Sequence, residues 1–407
     1  MKFICIALFF LCRMAFASAE VRTVSQPLDH ANKSRGVIQQ RIQIGNWKKL
    51  NKKTAPVIFF VAGEGEPMDV SRYASIYGST DQGQKGFIAI VADHRGYGAF
   101  STDADQSVPK YVTVDQAIED FHADIQMLRK EFTGPWVIAG FSYAGGLAVE
   151  LASRYPQDAD VVISSSGVLS WPFTFTGHAD AAAKEFPAEM IDNLAKVIKG
   201  HPYKVFGDQA WQEVDDLHWN MWELTQYEFA AGDVHYWNDH LKAAKTPDEF
   251  FSKSLPVLGR PEADSFQNGR GQVSVSLSDV SDGSYWGRYW AYQQCYEMGG
   301  FSTSRDGKVY PADENEYRDY CQTMFGVRPT FSKIQDWKKD AASLKVPLVS
   351  VVGELDPWLQ LELLSTDPQP ARGQYIFAKG HYHIPDTSDG ETAQQVMDAA
   401  WSYFPKR

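Results

Sequence analysis

Residues 136–145 read Trp136-Val-Ile-Ala-Gly140-Phe-Ser142-Tyr-Ala-Gly145, a short apolar run that stops at a serine and continues as a helix-forming stretch. Gly140 two places before the serine and Ala144 two places after it are small enough for a chain that turns sharply from strand into helix. Before this turn lie 56–62 (PVIFFVA) and 87–93 (FIAIVAD), continuous β-branched and apolar runs of the kind buried on both faces of a parallel sheet. Between them and the turn, Val114, Ile118, Phe121, Ile125, Leu128 and Phe132 fall at helical spacing, and Thr113 with Gln116 fits a capping box. A further strand is expected at 161–164 after a helix over 145–155, and an early antiparallel strand at 36–44 (GVIQQRIQI). Strand and helix alternate in this way only as far as about Ser170. From there to about Ala341 the chain reads as helical stretches (179–199 and 208–230) followed by a Gly/Ser-rich passage over 259–284. The buried strand type returns at 347–353 (PLVSVVG), followed by 374–377 and an amphipathic helix through Ala393, Val396, Met397, Ala400 and Phe404. The expected organisation is one sheet domain, 20–169 with 342–407, split by a helical insertion over 170–341. Such an insertion sits over the carboxyl edge of the strands, where sites of open α/β sheets lie.

An alcohol is a poor nucleophile unless a base takes its proton and the backbone holds it clear. The strand-to-helix turn offers Ser142 that exposure. A base and a carboxylate are then expected in the order Ser, Asp or Glu, His, the order of the α/β-hydrolase fold, which is the fold class the pattern predicts. Asp356, in Gly353-Glu-Leu-Asp-Pro-Trp358, follows a late strand, with Glu354 a rival. His383, in Gly380-His-Tyr-His-Ile-Pro-Asp386, follows the last strand. His381 is its rival, and alternation lets only one of the two face the serine. Donors for an oxyanion are expected from the backbone of Tyr143 and from the loop Gly63-Glu64-Gly65-Glu66, hence Glu64. Asp93-His94-Arg95 reads as an internal ion pair bracing the turn.

The chain has 407 residues, 44% hydrophobic and 22% charged, with 12 Trp and 19 Tyr, which suits a globular protein with either an aromatic-lined cleft or a tightly packed helical subdomain. Its net charge of −12 and lack of basic runs exclude nucleic acid as an expected partner. Residues 1–19 have the form of a secretory signal: Lys2, an apolar stretch from Ile4 to Leu11, and Ala17-Ser-Ala19. The stretch is too short to cross ~30 Å of hydrocarbon, so no membrane association is expected after cleavage. Cleavage removes Cys5 and Cys12 and leaves Cys295 and Cys321, expected as one disulfide in an exported chain. Neither a metal site nor another cofactor is expected.

Gln26-Pro-Leu-Asp-His30, Gly63-Glu-Gly-Glu-Pro67, Asp93-His-Arg-Gly-Tyr-Gly98, Gly140-Phe-Ser-Tyr-Ala-Gly145, Trp290-Ala-Tyr-Gln-Gln-Cys-Tyr-Glu-Met-Gly299, Asp356-Pro-Trp358 and His383-Ile-Pro-Asp386 occur in this order. Together they resemble the serine exopeptidases that include lysosomal Pro-X carboxypeptidase, dipeptidyl peptidase II and thymus-specific serine protease. The resemblance implies Ser142, Asp356 and His383 as a triad, Cys295 bonded to Cys321, and a helical cap narrowing the cleft to peptide termini. It further implies cleavage after proline, either from the carboxyl end or by removal of amino-terminal dipeptides, with Trp358 against the proline ring. Glu64, Glu66 or Glu297 is a candidate to hold a free amine. Gly146 stands where a bulkier residue often follows the Ser-Tyr-Gly-Gly turn, which implies a wider specificity pocket. A lipase or esterase on the same fold is the alternative, because fold alone does not fix the substrate.

Overall fold

The computed structural model describes residues 19–64, 69–97, 110–200, 224–227, 234–243, 286–310, 312–329 and 336–404. The signal-like segment 1–18, Gly65 and Glu66, most of the expected 208–230 helix and the Gly/Ser-rich passage lie outside them.

The chain opens with β1 (Glu20–Pro27), β2 (Val37–Gly45), β3 (Val57–Val61), α1 (Val70–Gly78), α2 (Asp81–Lys85) and β4 (Ile88–Ala92). It continues through α3 (Val114–Leu128), β5 (Trp136–Phe141), α4 (Tyr143–Arg154) and β6 (Val161–Ser165). After an intervening segment come α10 (Trp337–Ala342), β9 (Leu348–Gly353), β10 (Gly373–Ala378) and α11 (Gly390–Ser402). These strands form one eight-stranded sheet in the order β1-β2-β4-β3-β5-β6-β9-β10. Only β1 and β2 run antiparallel to their neighbours; the remaining pairs are parallel. The mostly parallel sheet flanked by helices is that of the α/β hydrolases.

Why the sheet is sandwiched can be read off a single strand. In β3, Val57, Phe59 and Val61 pack with Phe121, Ile125 and Leu147 from α3 and α4. Ile58 and Phe60 point the other way, to Tyr73 and Tyr77 of α1 and Val396 and Met397 of α11. Alternation thus feeds two cores, and each strand must be apolar on both faces. Thr113 caps α3 by accepting from Gln116 N, at the place the capping pattern marks.

The β1 edge of the sheet is tied down by a buried polar network. Arg95 donates from Nε and Nη2 to the two Asp120 oxygens, each at 2.7 Å, and from its Nη atoms to Pro27 O and Leu28 O. Gln26 Nε2 donates to Gln40 Oε1 and Asp124 Oδ1, both at 2.8 Å. His30 Nε2 lies 2.7 Å from Asp120 Oδ1. The Gln26-to-His30 stretch and the arginine of Asp93-His-Arg are therefore one brace that fixes β1 and β2 to α3.

The intervening segment holds β7 (Thr174–Phe175), α5 (Gly177–Glu185), α6 (Ala188–Gly200), α7 (Val234–Ala243), α8 (Trp286–Gln293), β8 (Phe301–Ser302) and α9 (Glu314–Phe325). The single helix expected over 179–199 is two, divided at Phe186, because Pro187 disfavours helical geometry in the residue before it. The segment leaves and rejoins the sheet at one point: Ser170 bridges Asp336, and Trp337 N donates to Leu169 O at 2.9 Å. The return comes five residues before Ala341, since α10 already packs on the sheet layer through the fully buried Trp337. Cys295 and Cys321 are joined, 26 residues apart, a loop closure that contributes about 3 kcal/mol. Among the described residues no helix is long and apolar enough to cross a membrane.

Candidate active site

Ser142 stands between β5 and α4 with φ 56° and ψ −130°, a left-handed backbone that L-residues adopt rarely and only under constraint. The turn closes because Gly140 has no side chain: a Cβ there would lie 2.0 Å from Ala144 O. Ser142 N donates to Ser165 O, and Gly145 N to Ser142 O, both at 2.9 Å. The hydroxyl is thereby lifted to the carboxyl edge of the sheet, half-buried rather than sealed.

Tyr143 begins α4, so its N–H has no intrahelical acceptor. Its phenol is fully buried and fixed from two sides. Gln293 Nε2 donates to Tyr143 Oη at 3.0 Å. Burial pushes His94 down to about 4, leaving it neutral. With Nδ1 donating to Arg95 O at 2.6 Å, its Nε2 accepts from Tyr143 Oη at 3.3 Å. The Trp290–Gly299 motif thus reaches the turn through Gln293, which also accepts from Tyr97 Oη at 2.5 Å and donates to Glu297 Oε1 at 3.1 Å.

Asp356 and His383 come together as a fully buried pair, Nδ1 to Oδ2 2.6 Å. Asp356 also accepts from Trp358 N at 2.8 Å. Burial alone would raise its carboxyl; the His383 charge and bonds from His383, Glu362 and Trp358 outweigh that and hold it below the ordinary range. The rivals lie elsewhere. Glu354 accepts from Gly380 N, and His381 faces Asp389 at 4.0 Å. The loop carrying His383 is pinned by Asp386, which accepts from Tyr77 Oη at 2.6 Å and from Ser165 Oγ. Ile384 N donates to Ser166 Oγ and His383 N to Gln226 O. Nε2 of His383 is buried without a hydrogen-bond partner.

Glu64 closes the corner. Gly63 packs against Ala144, which sets the loop beside the turn. Ser142 Oγ donates to Glu64 Oε1 at 3.5 Å. Burial pushes the Glu64 carboxyl up to about 7, opposed by its own backbone N–H, the His383 charge and the Ser142 hydroxyl. In this arrangement the serine is turned to Glu64 and not to His383, and the Glu64 N–H is turned to its own carboxyl. Catalytic hydrogen bonds in unliganded sites are commonly loose in this way and tighten when substrate enters.

Two expectations need correction. Trp358 is only 3% exposed; its ring stacks on Phe175 at 4.4 Å and its Nε1 donates to Gln226. It is a core residue that ties the intervening segment to the Asp356 loop, with no open face for a proline ring. Gly146 makes no pocket, since a Cβ there would meet Val168 O at 2.4 Å and the Trp337 ring at 2.8 Å; the space is filled by packing. Glu297, a candidate for holding a free amine, caps α3 by accepting from Val114 N at 2.8 Å through Oε1. Asp356, Glu362 and His383 are close enough to surround a cation. The 2.6 Å Nδ1–Oδ2 separation is that of a charge-assisted hydrogen bond, however, and ligands sharing one metal at ~2.1 Å stand farther apart.

The sequence missed Gln226, Glu362, Gln293 and Tyr77. A model of the family described as serine carboxypeptidase S28 matches residues 26–204. A Caenorhabditis elegans protein described as a serine protease is 29% identical, covering 84% of this chain and 79% of its own. Mouse (Mus musculus) thymus-specific serine protease is 26% identical, covering 82% and 76%. Among solved structures, proline iminopeptidase of Mycobacterium smegmatis superposes with a TM-score of 0.49 at 13% identity, over 94% of this chain and all of that one.

Proposed function

We propose, from the premise that the chain is a serine-type peptidase related to the serine carboxypeptidase S28 family, that it trims residues from peptide termini after proline through an acyl-enzyme on Ser142. The observation that carries this reading is the sealed His383–Asp356 pair, its Nε2 without a partner, beside a serine held at φ 56°. In the reaction Ser142 Oγ turns from Glu64, loses its proton to His383 Nε2 and attacks the carbonyl. Asp356 holds the ring's tautomer and balances the imidazolium charge. The N–H of Tyr143, joined by that of Glu64 once its carboxyl swings aside, takes the oxyanion. His383 then protonates the leaving amine, and water repeats the sequence to free the acyl group. Residues from Ser170 to the return at Asp336 act as the cap, and residues 1–19 direct export to a periplasmic or extracellular setting.

The amino-terminal direction is favoured by Glu64, a half-buried carboxyl beside the nucleophile. Ionised, it pairs with a free α-ammonium; protonated, it donates instead to a terminal carboxylate. Because its carboxyl titrates near 7, turnover of a free-amine Xaa-Pro reporter is expected to rise as pH increases through about 7. The family's carboxypeptidase description favours the second reading, in which an N-blocked Pro-Xaa dipeptide is cleaved and turnover falls over the same interval. Glu64→Gln is expected to lower kcat/KM for the free-amine reporter at least about tenfold, to erase its rise near 7, and to spare the blocked one. Assay of both reporters and a short-chain ester from pH 5 to 8 decides. Cleavage of the blocked dipeptide alone reverses the direction, and turnover of the ester alone overturns the terminal-peptide assignment.

A further inference from the structure

Behind the Asp356–His383 pair lies a second carboxyl that the mechanism above does not use. Glu362 follows the turn Leu359–Leu361 and is fully buried. Its Oε1 is 3.9 Å from His383 Nδ1, and ligand atoms of Asp356, Glu362 and His383 lie within 4.8 Å of one another. Neither Glu362 oxygen receives a hydrogen bond of ordinary geometry. Among the described residues, the charged and titratable groups facing it are Asp356, His383, Lys338 and Tyr375. Lys338, the one cation of fixed charge, is committed elsewhere, to Asp367 at 3.0 Å and Gln360 O at 3.2 Å.

We infer that Glu362 is a positioning residue: as a neutral carboxylic acid it donates its proton to Asp356, and through Asp356 it sets how readily His383 accepts a proton. Two carboxylates in one dry pocket cannot both ionise without a nearby cation. Asp356 is the partner that keeps the charge, because His383 and Trp358 N already bond to it. Burial and the neighbouring Asp356 charge push the Glu362 carboxyl well above its ordinary range, with the Ser166 hydroxyl and Lys338 opposing, and a carboxyl kept neutral carries a proton it can donate. The bond from Glu362 tempers Asp356. Without it Asp356 would bind the imidazolium more tightly, and His383 would stay protonated, useless as a base, to higher pH.

The inference rests on Ser142 and His383 acting as proposed, and its test reads them directly without a known substrate. The mature protein is reacted with a fluorophosphonate: Ser142 Oγ bonds to phosphorus, fluoride leaves, and the serine proton passes to His383. The rate is followed against pH. Glu362→Leu is expected to move the acid limb up by about one pH unit and so to slow labelling about tenfold at pH values below the limb. Glu362→Gln, whose amide still donates, is expected to keep the limb in place and the rate within about threefold. A glutamine variant as displaced as the leucine one, or a leucine variant with an unmoved limb, overturns the inference; should the leucine variant not fold, the glutamine limb alone decides. Absence of labelling in the unsubstituted protein overturns instead the proposed function.

Discussion

Ser142→Ala is expected to leave the fold intact and to cut peptide turnover about a millionfold. The substitution removes one oxygen, whose recorded contact is the 3.5 Å bond to Glu64. The turn itself is made by backbone bonds to Ser165 and Gly145 and by the missing side chain of Gly140. Alanine tolerates the φ of 56° no worse than serine does, so the thermal midpoint should move little while activity vanishes. Unfolding monitored by circular dichroism beside kcat for a proline-containing reporter separates the two. A variant retaining a tenth of the activity would remove Ser142 from the chemistry.

Asp356→Asn has the next largest expected effect, a fall in kcat of about 10⁴. An asparagine in the same rotamer offers an amide N–H or a weaker carbonyl to His383 Nδ1 where a carboxylate now stands at 2.6 Å. The first choice forces Nδ1 to accept, leaves the proton on Nε2 and deprives Ser142 of a base. The second loses the anion that balances the imidazolium. Either way the loss should lie in kcat, with KM for the reporter little changed, because neither atom touches bound peptide. Loss confined to KM would assign Asp356 to binding.

The sheet was legible because β3, β4, β5 and β9 are short apolar runs with no polar alternation, which only a strand buried on both faces requires. Ser142, Asp356 and His383 were legible for a different reason: each follows a strand end in a fixed chain order. What lay beyond the sequence depends on side chains that meet across hundreds of residues. Glu362 sits in an apolar Leu-Gln-Leu-Glu-Leu-Leu run, where a lone acid resembles a surface position on a helix. Gln226 belongs to the intervening segment, yet bonds both the His383 backbone and the Trp358 indole. Trp358 and Gly146 misled for the converse reason. A motif names the residue, but only packing says that Phe175 covers the one and that Trp337 fills the space beside the other.

In the proposed mechanism an imidazole fixed by Asp356 activates the hydroxyl of Ser142. Mass-spectrometric peptide mapping after reaction with a fluorophosphonate tests this directly. One adduct should form on the peptide carrying Ser142 and be lost in His383→Ala, while that variant keeps its circular dichroism spectrum. An adduct on another residue, or undiminished labelling of Ser142 without His383, would contradict it.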